Sequence, residues 1–181
     1  MFKKLFISIL ITIIFSGISY GYSEHKDWGK YDDNKLNFSI EYPKDWNCNF
    51  FYDEFTLQAG GLLGILTKNF GKSDYDNITI DFMIMKHDST KEFNQVIQDS
   101  LSNDSKVYFQ VDKVNNDIYN KRIGFCYLNE PTNMVIRQFF NIDKETTLML
   151  EATLWEDSFR NRNEDEKFKS VMEIMDTLKR K

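Results

Sequence analysis

Proline, cysteine and histidine each occur only twice in 181 residues. So little proline beside so many phenylalanines and tyrosines excludes large disordered segments. The two histidines, His25 in a polar stretch and His87 beside Asp88, form no H-E-x-x-H motif, and Cys48 and Cys126 form no C-x-x-C. Motif-borne zinc and thiol-redox chemistry is therefore absent, and no cofactor or metal is expected. No G-x-S-x-G elbow is present either. Gly71-Lys72-Ser73 looks like the end of a phosphate-binding loop, but that motif needs a glycine where Leu66 stands, so it fails. Positive charge is outnumbered, 23 Lys and Arg against 28 Asp and Glu. A net charge of −5 argues against a general nucleic-acid binder, which would show a basic face. Acidic clusters at Asp32-Asp33, Asp53-Glu54, Asp74/Asp76 and Glu164-Asp165-Glu166 lack the EF-hand pattern, and solvated turns account for them.

The N-terminus carries a signal of its own. Met1-Phe2-Lys3-Lys4 is a positive n-region, Leu5–Phe15 an apolar h-region, and Ser19-Tyr20-Gly21 places small residues at −3 and −1 of a cleavage site. That is the grammar of a secretory signal peptide over residues 1–21. The apolar run is shorter than the roughly 20 residues of a spanning helix, so no membrane span is expected after cleavage. Abundant Lys, Asn, Ile and Phe suit an AT-rich bacterial genome, which makes the expected destination periplasmic or secreted. An exported chain with two cysteines invites a Cys48–Cys126 disulfide, worth about 4 kcal/mol in the chain-entropy model. A domain of this size does not need such a staple, and both states of the pair stay open.

The rest is rich in strand signals. Residues 22–35 are polar and read as an N-terminal extension. Leu36–Tyr42 alternates strictly and stops at Pro43, with Trp46 in the turn beyond. The Gly-rich stretch 53–77 reads as a strand and a loop, and Ile78–Lys86 as a further strand. Ser89 and Glu92 form a capping-box signature before the helical spacing of Phe93, Val96, Ile97 and Leu101. Ile118–Leu128, Met134–Ile142 and Thr146–Trp155 read as a C-terminal meander. A closing helix from about Asn163 buries Phe168, Val171, Met172, Met175 and Leu178, with Lys179-Arg180-Lys181 at its end. The fold class is α+β: an antiparallel sheet with a C-terminal meander, flanked by two main amphipathic helices.

Phe38-Ser-Ile-Glu-Tyr-Pro-Lys-Asp-Trp46 resembles the opening strand and turn of the PsbP-like superfamily, which includes the Mog-type Ran-binding proteins. The order of elements over residues 36–179 is similar too. Where many members have Ser-Phe near the end, this chain has Thr177-Leu178. The resemblance implies a single domain with an α/β/α sandwich that binds partners rather than catalyses, and it offers no catalytic residues.

Register supplies the binding candidates. Pairing Met134–Ile142 with Thr146–Trp155 so that Ile136 faces Ala152 and Phe140 faces Leu148 keeps one face apolar, with Gln138 opposite Leu150 the one blemish. A one-residue slip would place Arg137 among leucines. The favoured register sets Arg137 opposite Glu151 on the second face, flanked by Phe139, Met149 and Trp155. Either a helix or the 53–77 segment covers that face, leaving the ion pair structural, or it is a groove for a protein or small ligand in the envelope. The first expectation is an exported, non-enzymatic binding or scaffold module. The alternatives are an envelope hydrolase using carboxylates on that face, and a small-ligand carrier.

Overall fold

The computed structural model describes residues 27–51, 53–71, 76–102, 107–111, 119–126, 133–155 and 164–181, and residues 1–21, where a signal peptide is expected, lie outside them. Alternation builds the largest sheet. In β5 (Asn77–Lys86) Ile78, Ile80, Phe82 and Ile84 are buried while Thr79, Asp81, Met83 and Met85 are half-buried on the other side. β3 (Asn47–Phe50), β4 (Gly61–Asn69), β6 (Val107–Val111), β7 (Tyr119–Cys126), β8 (Asn133–Asn141) and β9 (Thr146–Trp155) join it in the antiparallel order β3-β4-β5-β9-β8-β7-β6. The meander is β7-β8-β9. Its register is the expected one: Met134, Ile136, Gln138 and Phe140 face Leu154, Ala152, Leu150 and Leu148.

A second sheet has the order β1-β2-β10, with β1 (Trp28–Asp33), β2 (Phe38–Pro43) and β10 (Lys179–Arg180). Two expectations are corrected here. Part of the polar stretch 22–35 is strand rather than extension, because Asp33 accepts the Lys35 and Leu36 N–H groups and turns the chain onto β2. The terminal Lys179-Arg180 does not end a helix but pairs with Ser39 and Phe38.

The helices are α1 (Glu54–Ala59), α2 (Phe93–Ser102) and α3 (Glu166–Asp176). α1 replaces part of the loop expected in 53–77: Asp53 caps it through the Thr56 N–H at 2.6 Å, and Gly60, at φ 87, ends it. A side chain at Gly60 would meet the Ile84 carbonyl at 2.8 Å, so glycine is required there twice over. α2 starts after a turn at Asp88 rather than through a Ser89–Glu92 box, since Thr90 N–H donates to the Asp88 carboxylate and the first helical bonds go to the Glu92 carbonyl. Asp165, not Asn163, caps α3, accepting from Phe168 N–H at 2.8 Å.

The main core lies between one face of the large sheet and the layer formed by α3 and the small sheet. Phe38, Ile40, Ile80, Phe82, Leu148, Leu150, Val171 and Met175 are buried together there, as expected. Rings knit the two sheets: Tyr31 stacks on Phe50 at 3.5 Å, Phe50 meets Phe82 edge-on, and Phe38 meets Phe140 at 6.4 Å. Trp46 folds back into this core beside Phe70. On the other face α2 lays Phe93 and Ile97 against Phe139, Met149, Met83 and Met85. The result is an α/β/α sandwich.

Candidate functional site

Three central strands place one charged residue each at the same level of the second face. Asp81 on β5 pairs in register with Glu151 on β9, and Glu151 pairs with Arg137 on β8. The next strand continues the row with Arg122 by backbone register. Because the strands sit about 4.8 Å apart, Asp81 and Glu151, and Glu151 and Arg137, are direct cross-strand neighbours. Arg137 Nε donates to a Glu151 carboxylate oxygen, with the two side chains 11% and 24% exposed. Burial, and then the negative charge of Glu151, raise the Asp81 carboxyl above its ordinary range. The arrangement is thus a carboxylate pair, Asp81 beside Glu151, with the Arg137 cation bound to Glu151 on its far side, seated on the central strands of the sheet.

The flanks of the row differ from the expected groove. Phe139 is fully buried beneath α2 with Ile97, and Met149 is 7% exposed beside it. Neither can line an open groove: the two rows alternate along the strand, and the helix needs an apolar seat. Trp155 ends β9 opposite Asn133, and its side chain lies outside the described residues. What remains accessible near the charges is polar on one side, with Thr153 exposed, and apolar on the other. There Leu62, in register with Met83, is 43% exposed.

Histidine and cysteine chemistry does not converge on this row. His87 lies beyond the end of β5, about 20 Å along the extended chain from Asp81, and its Nε2 is 3.1 Å from Thr147 Oγ1. His25 is outside the described residues. The Cys48–Cys126 disulfide is ruled out by topology. Cys48 is free on β3, and β4, β5, β9 and β8 separate it from Cys126 on β7. Five strand spacings amount to about 24 Å, against the roughly 7 Å limit for bridged Cα atoms. Burial pushes the Cys48 thiol up, and the neighbouring Tyr42 hydroxyl is itself pushed up to about 12 by burial and by Cys48. A thiol in that setting is a poor nucleophile.

No family model matches the sequence, and no curated protein matches it. Solved structures do match over nearly the whole chain. Cyanobacterial PsbP (CyanoP) from Synechocystis sp. PCC 6803 superposes with a TM-score of 0.56 at 10% identity, covering 89% of this chain and 96% of its own. LpqN of Mycobacterium tuberculosis, involved in cell envelope biogenesis, gives 0.53 at 12% identity, with 86% of each chain covered. The Saccharomyces cerevisiae Ran-binding protein Mog1p gives 0.51 at 9% identity, covering 84% of this chain and 94% of its own. This is a PsbP-like fold.

On the PsbP-like scaffold the acidic clusters do structural work. Asp33 shapes the β1–β2 turn, Asp53 and Asp165 cap α1 and α3, and Asp76 pairs with Lys167 at 2.7 Å. Asp74 is outside the described residues, among which no three His, Cys, Asp or Glu side chains gather as a metal site. Asp81 is the site residue that the sequence did not single out. Its alternation with Ile80 and Phe82 gives its face, but its neighbour Glu151 is known only once β5 and β9 are seen to be adjacent.

Proposed function

We propose that the chain is an exported binding or scaffold module whose partner docks on the second face over the Asp81–Glu151–Arg137 row. The observation that carries this reading is the row itself. It is partly exposed, fixed on three central strands, and bordered by exposed Thr153 and Leu62. A preformed polar patch beside an apolar border suits recognition of a protein or small ligand of the envelope. Support for a binding role comes from the likeness to Mog1p, described as Ran-binding, and for an envelope setting from the likeness to LpqN and the N-terminal Lys3–Gly21 pattern. Neither nucleic acid nor catalysis has a part in the reading.

Affinity capture from the native envelope, followed by mass spectrometry, tests it. Wild type should enrich a small defined set, and Arg137→Gln should lose it. Equal capture by both would remove the row from the binding surface. One observation favours a second reading. The raised Asp81 carboxyl beside Glu151 has the form of an acid–base pair, as an envelope hydrolase would use. Hydrolysis of glycoside or ester substrates that Asp81→Asn abolishes would replace binding with catalysis.

A further inference from the structure

β3 ends the large sheet, and Asn47-Cys48-Asn49-Phe50 carries neither charge nor proline, two devices that keep edge strands from pairing. Its register against β4 is unbroken. The Phe51 N–H donates to the Leu63 carbonyl at 2.7 Å, which sets the phase of the ladder. Asn47, Asn49 and Phe51 turn their backbone groups toward β4, and Cys48 and Phe50 turn theirs to the outer edge. Side chains alternate likewise. Asn47, Asn49 and Phe51 are exposed on the second face, whereas Cys48 and Phe50 pack against the main core. Lys44 and Glu54, both exposed, flank the strand at its two ends, and neither has an ion-pair partner among the described residues.

We propose that β3 pairs antiparallel with β3 of a second copy of this chain, across a two-fold axis at Asn49. Outward backbone groups must meet outward groups, so Cys48 stands opposite Phe50 of the partner subunit. Asn49 then faces the partner's Asn49, and Lys44 comes to the end where the partner's Glu54 lies. Shifting by two residues keeps the backbone phase but loses that charge match. Asp45, which falls near the partner's Asp53, is already paired with Lys68 at 2.6 Å. The contact is isologous, so each ion pair forms twice. It lies on a different strand from the charged row and stands or falls independently of the binding proposal.

Analytical ultracentrifugation over a wide concentration series should show a reversible monomer–dimer equilibrium. Asn49→Lys places like charges across the axis while leaving an exposed monomer position intact, and should weaken the dimer at least about tenfold. Lys44→Glu should weaken it, and Lys44→Glu with Glu54→Lys should restore it. The facing Asn49 residues form a non-hydrogen-bonded pair with Cα atoms about 4.5 Å apart, within disulfide reach. Asn49→Cys in a Cys48→Ser, Cys126→Ser chain should therefore give a covalent dimer on oxidation, and the parent chain none. A monomer at every concentration overturns the proposal. So does a dimer that neither cross-links through Asn49→Cys nor responds to Lys44→Glu, since the contact would then lie elsewhere, as at the other edge strand, β6.

Discussion

Among the described residues Arg137 is one of the few charged ones that the fold nearly buries, and at 11% side-chain exposure its guanidinium has given up most of its water. Glu151 offsets part of that cost, so removing either partner takes a compensating charge from the other. A double-mutant cycle with Arg137→Ala and Glu151→Ala should give a coupling above about 1 kcal/mol, beyond the range of exposed pairs. A coupling near zero in urea unfolding would reject the pair as a stabilising contact. Asp81 makes a separate claim about pH. Its folded pKa is raised, so the native state holds this proton more tightly than the unfolded chain does. Its contribution to stability is complete below the ordinary value of 3.8 and is lost as pH rises through the raised folded value. Asp81→Asn should therefore stabilise the protein at neutral pH, and that gain should disappear below the ordinary carboxylate range. A gain independent of pH, measured by denaturant midpoints, would show that ionisation of Asp81 is not its source.

At the scale of elements, Thr177 joins the end of α3 to β2. Its hydroxyl accepts the Glu41 N–H at 2.8 Å and lies within donor reach of the Glu41 and Ile174 carbonyls. Thr177→Val keeps the shape and strands buried backbone groups, so unfolding should become easier by about 1–3 kcal/mol. An unchanged thermal midpoint would show that the bridge contributes nothing. The meander register was legible in the sequence because only one alignment keeps Arg137 out of the leucines, and Gln138 is indeed buried at 3% with its carbonyl oxygen unpaired. β1 was not legible, since Trp28-Gly-Lys-Tyr-Asp-Asp33 is an edge strand with little alternation to show. Its available signal was the turn chemistry of Asp33-Asn34-Lys35, where Asp33 folds the backbone onto β2. α1 is too short for a helical period, and only the Asp53 cap and the Gly60 stop mark it.

At the scale of the molecule, what the sequence could not give is strand order. β5 and β9 are adjacent although about sixty residues of chain lie between them, and no local pattern encodes such a pairing. That adjacency puts Asp81 beside Glu151 and turns an ion pair into a three-residue row. The layer order has the same origin: the sequence left open what covers Phe139, and α2 does. The export reading makes its own prediction, a mature chain beginning at Tyr22, which N-terminal sequencing of protein from the native host would check; a soluble form retaining Met1 would contradict it. The central claim is that the row recognises a partner rather than merely holding β8 to β9. Exchanging the charges, Arg137→Glu with Glu151→Arg, separates the two roles, because it keeps a cross-strand pair and reverses its polarity beside Asp81. The expected result is a melting temperature close to that of wild type with loss of the partner captured by wild type. Capture at the wild-type level by the exchanged variant would contradict the claim.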